Sequence, residues 1–335
     1  MIYLREFSSH RDYSDIMNNG GLQLEVPNVS YCDDVDDVHF NPYNLIEFYV
    51  GEITGTTPQT VQIYTDESTS IDVEVSEGNK WYTYALPKDK ELHSIKSGVF
   101  NNNVGWTNGI VKKVVIKANI NYKSTTDGEN INQYYCIIPS STIEASFKGS
   151  DTSKVNDMGF MFGYCSSITS LDVSSFNTSN VKSMYGMFCG CSGLTSLDVS
   201  NFNTSNVNFM SSMFSFCGGL TSLDVSNFDT SNVTNIDGMF GGCSGLTKLD
   251  LSKWDTSKVT GMNSMFINCI NLTSLDLSRF NTSNINDMTT YMGNMFEGCI
   301  NLKTITMKDC TSDTINKIKE QLKTDGITGA TIVTT

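Results

Sequence analysis

From Asp151 onward, apolar and polar positions recur with a fixed period. Cys165, Cys191, Cys217, Cys243, Cys269 and Cys299 are separated by 26, 26, 26, 26 and 30 residues. Aligning on them gives six units that begin at Asp151, Asn177, Asn203, Asp229, Asp255 and Asn281. A period of this length predicts a solenoid, in which each coil adds one layer to a continuous core. Two spacings sit inside each coil. Val181, Met184, Met187, Phe188 and Cys191 are 3, 3, 1 and 3 residues apart, which predicts one face of a short helix. Leu197 and Val199 alternate with Ser196, Asp198 and Ser200, the period of a half-buried strand. Asn177-Thr178-Ser179 supplies helix-capping residue types, and Gly193 allows a chain reversal.

Stacked in register, the coils form inward files. Leu171, Leu197, Leu223, Leu249, Leu275 and Ile305 make one, and Val173, Val199, Val225, Leu251, Leu277 and Met307 the next. Phe176, Phe202, Phe228, Trp254 and Phe280 form an aromatic file. Thirteen of the fifteen methionines fall between Met158 and Met307, where flexible side chains fill irregular gaps in a core. The last coil carries four extra residues around Thr289-Thr290-Tyr291-Met292, about one helical turn. A solenoid needs capped ends. Ser312 is a candidate cap for a helix with Ile315, Ile318 and Leu322 on its apolar face, ending near Gly326, and Ala330 to Val333 form a closing strand.

The pattern Met187-Phe188-x-x-Cys191, leading into Leu194-x-x-Leu197-x-Val199, resembles BspA-type leucine-rich repeats, which occur in surface and adhesion proteins of bacteria and some protists. The resemblance covers residues 151–310. It implies adhesion to a protein or glycan on a cell surface. Phe202 and its equivalents stand where other leucine-rich repeats carry an asparagine ladder, so their turn geometry does not transfer.

Before the repeats the pattern changes. All five prolines lie there, and residues 1–150 carry 20 acidic against 11 basic side chains. Alternation at Ile46/Phe48/Val50, Val61/Ile63, Ile71/Val73/Val75, Trp81 to Leu86 and Val114/Ile116/Ala118/Ile120 predicts an antiparallel sandwich. Residues 9–18 read as briefly helical, and Asp33 to Asp37 as the acidic turn of a hairpin. The opening segment, with Asn41-Pro42 after it, resembles virion-associated proteins of bacteriophages of gut bacteria. The expected class is therefore mixed α/β: an attachment segment at 1–42, a β-sandwich-like domain at 43–148, a leucine-rich-repeat-like solenoid of six 26-residue coils at 149–310, and a helix–strand cap at 311–335.

Charge and chemistry narrow the function. With 36 acidic against 22 basic residues the chain is a poor partner for a phosphate backbone, so no nucleic acid is expected. No apolar run reaches the roughly 18 residues of a membrane span, so no membrane insertion is expected. Met1 to Phe7 lack the features of a secretory leader. The three histidines, His10, His39 and His93, lie outside the repeats, and no nucleophile or phosphate-loop motif stands in context. We expect no enzyme activity, no cofactor and no metal. A four-sulfur site can be drawn from Cys165, Cys189, Cys191 and Cys217, but inward-pointing thiols in one file fit a packed core better.

Two surfaces are candidate binding sites. Asp172, Asp198, Asp224, Asp250 and Asp276 form an outward acidic column, which either attracts a cation or basic partner or is neutralised by neighbouring hydroxyls and backbone. Phe160, Tyr164, Tyr185, Phe209 and Phe216 occupy positions where later coils carry Gly, Ser, Asn or Asp. They read equally as a contact patch or as a docking surface for the N-terminal domain. The expected protein is a recognition or adhesion component. In one reading it is a phage fibre or receptor-binding part on the virion, held by a virion structural protein through its N-terminal region and meeting a cell-surface protein or glycan through the solenoid. In the other it is a bacterial cell-surface adhesin. Homo-oligomerisation is left open.

Overall fold

The computed structural model describes residues 5–7, 45–53, 59–66, 69–75, 77–86, 90–97, 99–101, 105–107, 109–122 and 136–335. The acidic turn and the short helix expected before residue 42 lie outside these residues, as does all of the attachment segment except Arg5–Phe7.

Four of the six coils build one wall as strand, as the alternation predicts. Strands β11 (Ser170–Asp172), β12 (Lys248–Asp250), β13 (Ser274–Asp276) and β14 (Thr304–Thr306) repeat at the same place in their coils. Leu249 pairs with Leu275 and Leu275 with Ile305 in parallel register. The leucine and valine files are buried throughout, apart from a partly buried Leu197. Around Leu197 and Leu223 the file continues without strand structure. There the Asn201 and Asn227 amides donate across coils instead, to the carbonyls of Val173 and Phe176 and of Val199 and Phe202 at 3.0–3.1 Å.

The second wall departs from expectation. Among the described residues helix is confined to Met288–Tyr291 and Ser312–Thr324, so the chain is mostly β and turn rather than mixed α/β. The 3, 3, 1, 3 spacing belongs to a string of turns. The N–H groups of Met184, Gly186, Phe188 and Gly190 donate to Phe209, Ser211, Met213 and Ser215 of the next coil, while those of Met187, Cys189 and Cys191 donate three residues back within their own coil. Gly186 and Gly190 have φ of 59° and 75°. An α-helix needs negative φ throughout and every bond inside the segment. This arrangement still turns Met184, Met187, Phe188 and Cys191 inward. Phe162, Phe188, Phe214, Phe240, Phe266 and Phe296 stack with centroids 5.5–5.9 Å apart, all fully buried.

A third feature closes each coil. Thr152, Thr178, Thr204, Thr230 and Thr256 are buried, and each hydroxyl donates at 2.9–3.0 Å to a carbonyl of the following coil. These threonines, expected to cap helices, form a ladder along the stack.

The stack exceeds the six coils of the sequence period and comprises about eight turns. Its outer layers lack the repeat's cysteine signature but obey the same hydrogen bonding. At the N-terminal end β9 (Val111–Lys117) and β10 (Glu144–Ser146) continue the sheet wall, with Val114, Ala145 and Leu171 in parallel register. On the turn wall the Ile95 N–H donates to Ile137 and the Ile137 N–H to Met161. Asn119 pairs with Asp151 and Leu92 with Ile120 on the remaining side.

Beyond β9 lie strands that the alternation located: β2 (Leu45–Val50), β3 (Gln59–Tyr64), β4 (Ser70–Val75) and β5 (Lys80–Ala85). With β1 (Arg5–Phe7), β2 and β5 complete a six-stranded sheet in the order β1-β5-β2-β9-β10-β11, antiparallel up to β9 and parallel from there on. With β6 (Ser94–Ser97), β3 and β4 form a three-stranded antiparallel sheet, and β7 (Val99–Asn101) pairs with β8 (Gly105–Thr107). Ile46, Phe48, Ile63 and Val73 belong to one buried cluster with the solenoid core, which fits a sandwich-like packing fused to the stack.

At the other end β15 (Thr331–Val333) pairs in parallel with β14. The helix Ser312–Thr324 buries Ile318 and Leu322 over the last coil, with Thr311 rather than Ser312 as its cap. The extra residues of the last coil form the short helix Met288–Tyr291, capped by Asp287.

Candidate functional site

The aspartate column lies on the sheet wall. Asp198, Asp224 and Asp250 are exposed, whereas Asp172 and Asp276 are half-buried. Each carboxylate accepts from the backbone N–H two residues on, at Ser174, Ser200, Ser226, Ser252 and Ser278, at 2.9–3.0 Å. Such turns satisfy the carboxylate locally. The Ser200 hydroxyl and amide hold Asp198 below the usual carboxylate range, and the Ser226 amide and hydroxyl do the same for Asp224. At Asp172 burial pushes the other way, but Ser174 and Lys148 outweigh it. One oxygen of every member is therefore engaged within its own coil.

The first aspartate also borders a groove absent from the sequence reading. A volume of about 540 Å³ opens on the outer face of the six-stranded sheet, lined by Tyr49, Trp81, Lys113, Glu144, Ser146 and Asp172. Tyr49 and Trp81 are neighbours at 5.7 Å, and Lys113 pairs with Glu144 at 2.8 Å across β9 and β10. Nothing in the sequence joins residues 49 and 81 to 172 before the shared sheet is known.

The aromatic candidates lie on the turn wall, and the structure splits them. Phe160 is buried, its ring 4.9 Å from Tyr185 and 6.2 Å from Tyr164. Tyr185 is half-buried. Tyr164, Phe209 and Phe216 are exposed. The rings and the aspartates thus occupy separate walls.

The cysteine file is a packing element. Cys191, Cys217, Cys243, Cys269 and Cys299 are buried free thiols, each donating at 3.0–3.1 Å to the phenylalanine carbonyl of the preceding coil. Burial pushes all five up, Cys299 to about 12. Cys189 is pushed up to about 11 by burial, against a hydrogen bond with Tyr164. At the join of the N-terminal strands and the first coil, Lys96 is buried and lowered to about 8 by desolvation. Its ammonium donates to the Cys136 carbonyl at 2.5 Å. No group of three or more His, Cys, Asp or Glu side chains among the described residues is placed to hold a metal ion, and no helix among them is long and apolar enough to cross a membrane.

Fold and surfaces together define a repeat solenoid with a uniform interior and a varied exterior. The family model described as "Mycoplasma protein of unknown function, DUF285" matches residues 135–223 and 216–323, more than half of the chain. The chain belongs to this family, in keeping with a BspA-type repeat protein. No curated protein and no solved structure matches it.

Proposed function

We propose that this chain is a non-enzymatic recognition protein that uses the solenoid as a rigid display surface for adhesion. The observation that carries this reading is the contrast between the two sides of the turn wall. Inward positions repeat as Met, Phe and Cys in every coil, while outward positions run from Tyr164, Phe209 and Phe216 to Gly, Ser and Asn. Rings that stay exposed where neighbouring coils carry small polar residues are characteristic of contact surfaces. Titratable groups are tied up locally, the carboxylates in turns and the thiols in the core, which favours binding over catalysis.

The proposed setting is a phage particle, with the N-terminal region joined to a virion structural protein and the solenoid meeting a cell-surface protein or glycan. Neither nucleic acid nor membrane insertion enters the proposal. The second reading places the same surface on a bacterial cell, which the DUF285 membership favours. Fluorescently labelled full chain should bind intact bacterial cells of the host, measured by flow cytometry, and unlabelled chain should compete. Absence of binding to any host strain would refute adhesion. Mass spectrometry of purified particles and of surface-labelled cells then separates the two settings.

A further inference from the structure

Along one edge of the turn wall every second coil carries a planar group. The column reads Tyr164, Gly190, Phe216, Gly242, Asn268 and Gly298, and every member has a positive φ, between 57° and 78°. In that backbone conformation the planar side chains lean along the stack onto the next coil. A Cβ on Gly190 would lie 3.1 Å from Cδ1 of Tyr164, one on Gly242 would lie 2.7 Å from Cδ1 of Phe216, and one on Gly298 would meet the Asn268 amide oxygen. Each planar group rests over a glycine that leaves room for it. The outer sides stay open, with Tyr164 45% and Phe216 60% exposed and Asn268 exposed as well. Two coils at the spacing of paired strands place successive planar groups about 10 Å apart.

The surroundings define the charge of a ligand. Residues 157–166, 183–192, 209–218, 235–244 and 261–270 contain no lysine or arginine. Their carboxylates are Asp157 and Asp237, which accept from the N–H groups of Gly159 and Asn263. In a chain of net charge −14 these five segments form a strip of rings, hydroxyls and amides with no cation and two carboxylates engaged by backbone, and the sixth coil adds Glu297 beside Gly298. An anionic ligand finds no complement there, and the two carboxylates are already engaged by backbone amides.

We propose that this column is a platform for an extended, neutral β-1,4-linked glycan, a claim that rests on the recognition role above and names its ligand class. In such a glycan consecutive hexopyranose rings are turned over, so every second sugar presents the same C–H face. Two sugars span about the length of two coils, so like faces meet Tyr164 and Phe216 in succession while the sugar between them passes over Gly190. Partly positive C–H groups pack on the negative face of an aromatic ring. The Asn268 amide then offers a donor and an acceptor to hydroxyls of a further sugar.

Isothermal titration of the full chain with cellohexaose and with fully N-acetylated chitohexaose tests the proposal, with maltohexaose as the α-linked control. At least one β-1,4 hexasaccharide should bind, with maltohexaose weaker by about tenfold or more, and Phe216→Gly and Tyr164→Gly should each lose about tenfold in affinity. Glycine already stands at the same place in neighbouring coils, so both variants should melt at or above the temperature of the parent. No binding of either β-1,4 hexasaccharide, or binding unchanged in both variants, overturns the platform. Cell binding distinguishes this failure from that of the recognition role. Cells bound equally by the parent and by both variants sink the platform alone, whereas hexasaccharide binding without cell binding sinks adhesion alone.

Discussion

Gly186 holds φ at 59°, and a Cβ added there would lie 2.5 Å from Cε1 of Phe160. Gly186→Ala should therefore cost about 2 kcal/mol or more, from left-handed strain and overpacking together, read as a lower urea midpoint. The reverse holds at Ser212, where φ is 56°. Ser212→Gly should gain about 0.5–1 kcal/mol, the relief of strain exceeding the extra entropy of the unfolded chain. Thr178 donates to the Asn203 carbonyl at 2.9 Å and accepts from its N–H at 2.7 Å. Thr178→Val leaves both buried groups unpaired and should cost about 2–3 kcal/mol. Alkali should loosen the fold through the thiols. A thiol raised above its ordinary value of 9.0 contributes stability that is complete below pH 9 and is lost as pH rises towards its folded value. Lys96 acts in the opposite sense, because between pH 8 and 10.5 the unfolded lysine holds a proton that the folded one has released. Six raised thiols, Cys189 included, outnumber it, so denaturation midpoints should fall between pH 9 and 10.5, and more steeply in Lys96→Met. The buried files were legible residue by residue from the period. The threonine ladder was not, because a hydroxyl that reaches the next coil has the same sequence pattern as one that caps its own helix.

At the level of elements, the strands of the N-terminal half were legible because alternation with period two has a single structural meaning at Ile46/Phe48/Val50 and Val114/Ile116. The 3, 3, 1, 3 spacing has two. A helix and a string of turns with a left-handed residue every fourth position both bring Met184, Met187, Phe188 and Cys191 to one side. The distinguishing signal lay in the columns beginning at Phe160 and Tyr164, which mix Gly, Ser and Asn with aromatics four residues apart. Read for their rings alone, those columns do not reveal the alternation with glycine. Far-UV circular dichroism should accordingly show a β and turn spectrum without a strong helical double minimum, since the described helices span 4 and 13 residues. The groove at Tyr49 and Trp81 was hidden for a different reason. It exists only once β2, β5, β9 and β10 share a sheet, and that register is a long-range property.

For the whole molecule, nearest-neighbour stacking makes coils separable units. Deleting residues 203–228, one period, joins equivalent positions and should leave a folded protein with a lower melting temperature. Removing residues 311–335 strips the helix and β15 from the last coil and uncovers its buried Ile305 and Met307, so that variant should aggregate on purification. The composition changes near residue 150, yet the hydrogen-bonded sheet does not, because β9, β10 and β11 pass through it in register. Hydrogen bonding from coil to coil, which on the turn wall runs without a gap from Met158 to Tyr291, bears on how the molecule carries load. Tension applied between its two ends runs along the hydrogen bonds rather than across them, so layers should peel away singly instead of shearing together. Each freed layer of 26 residues would lengthen the chain by roughly 85 Å, giving evenly spaced steps in an optical trap. A tether built this way yields gradually under drag while its remaining layers hold.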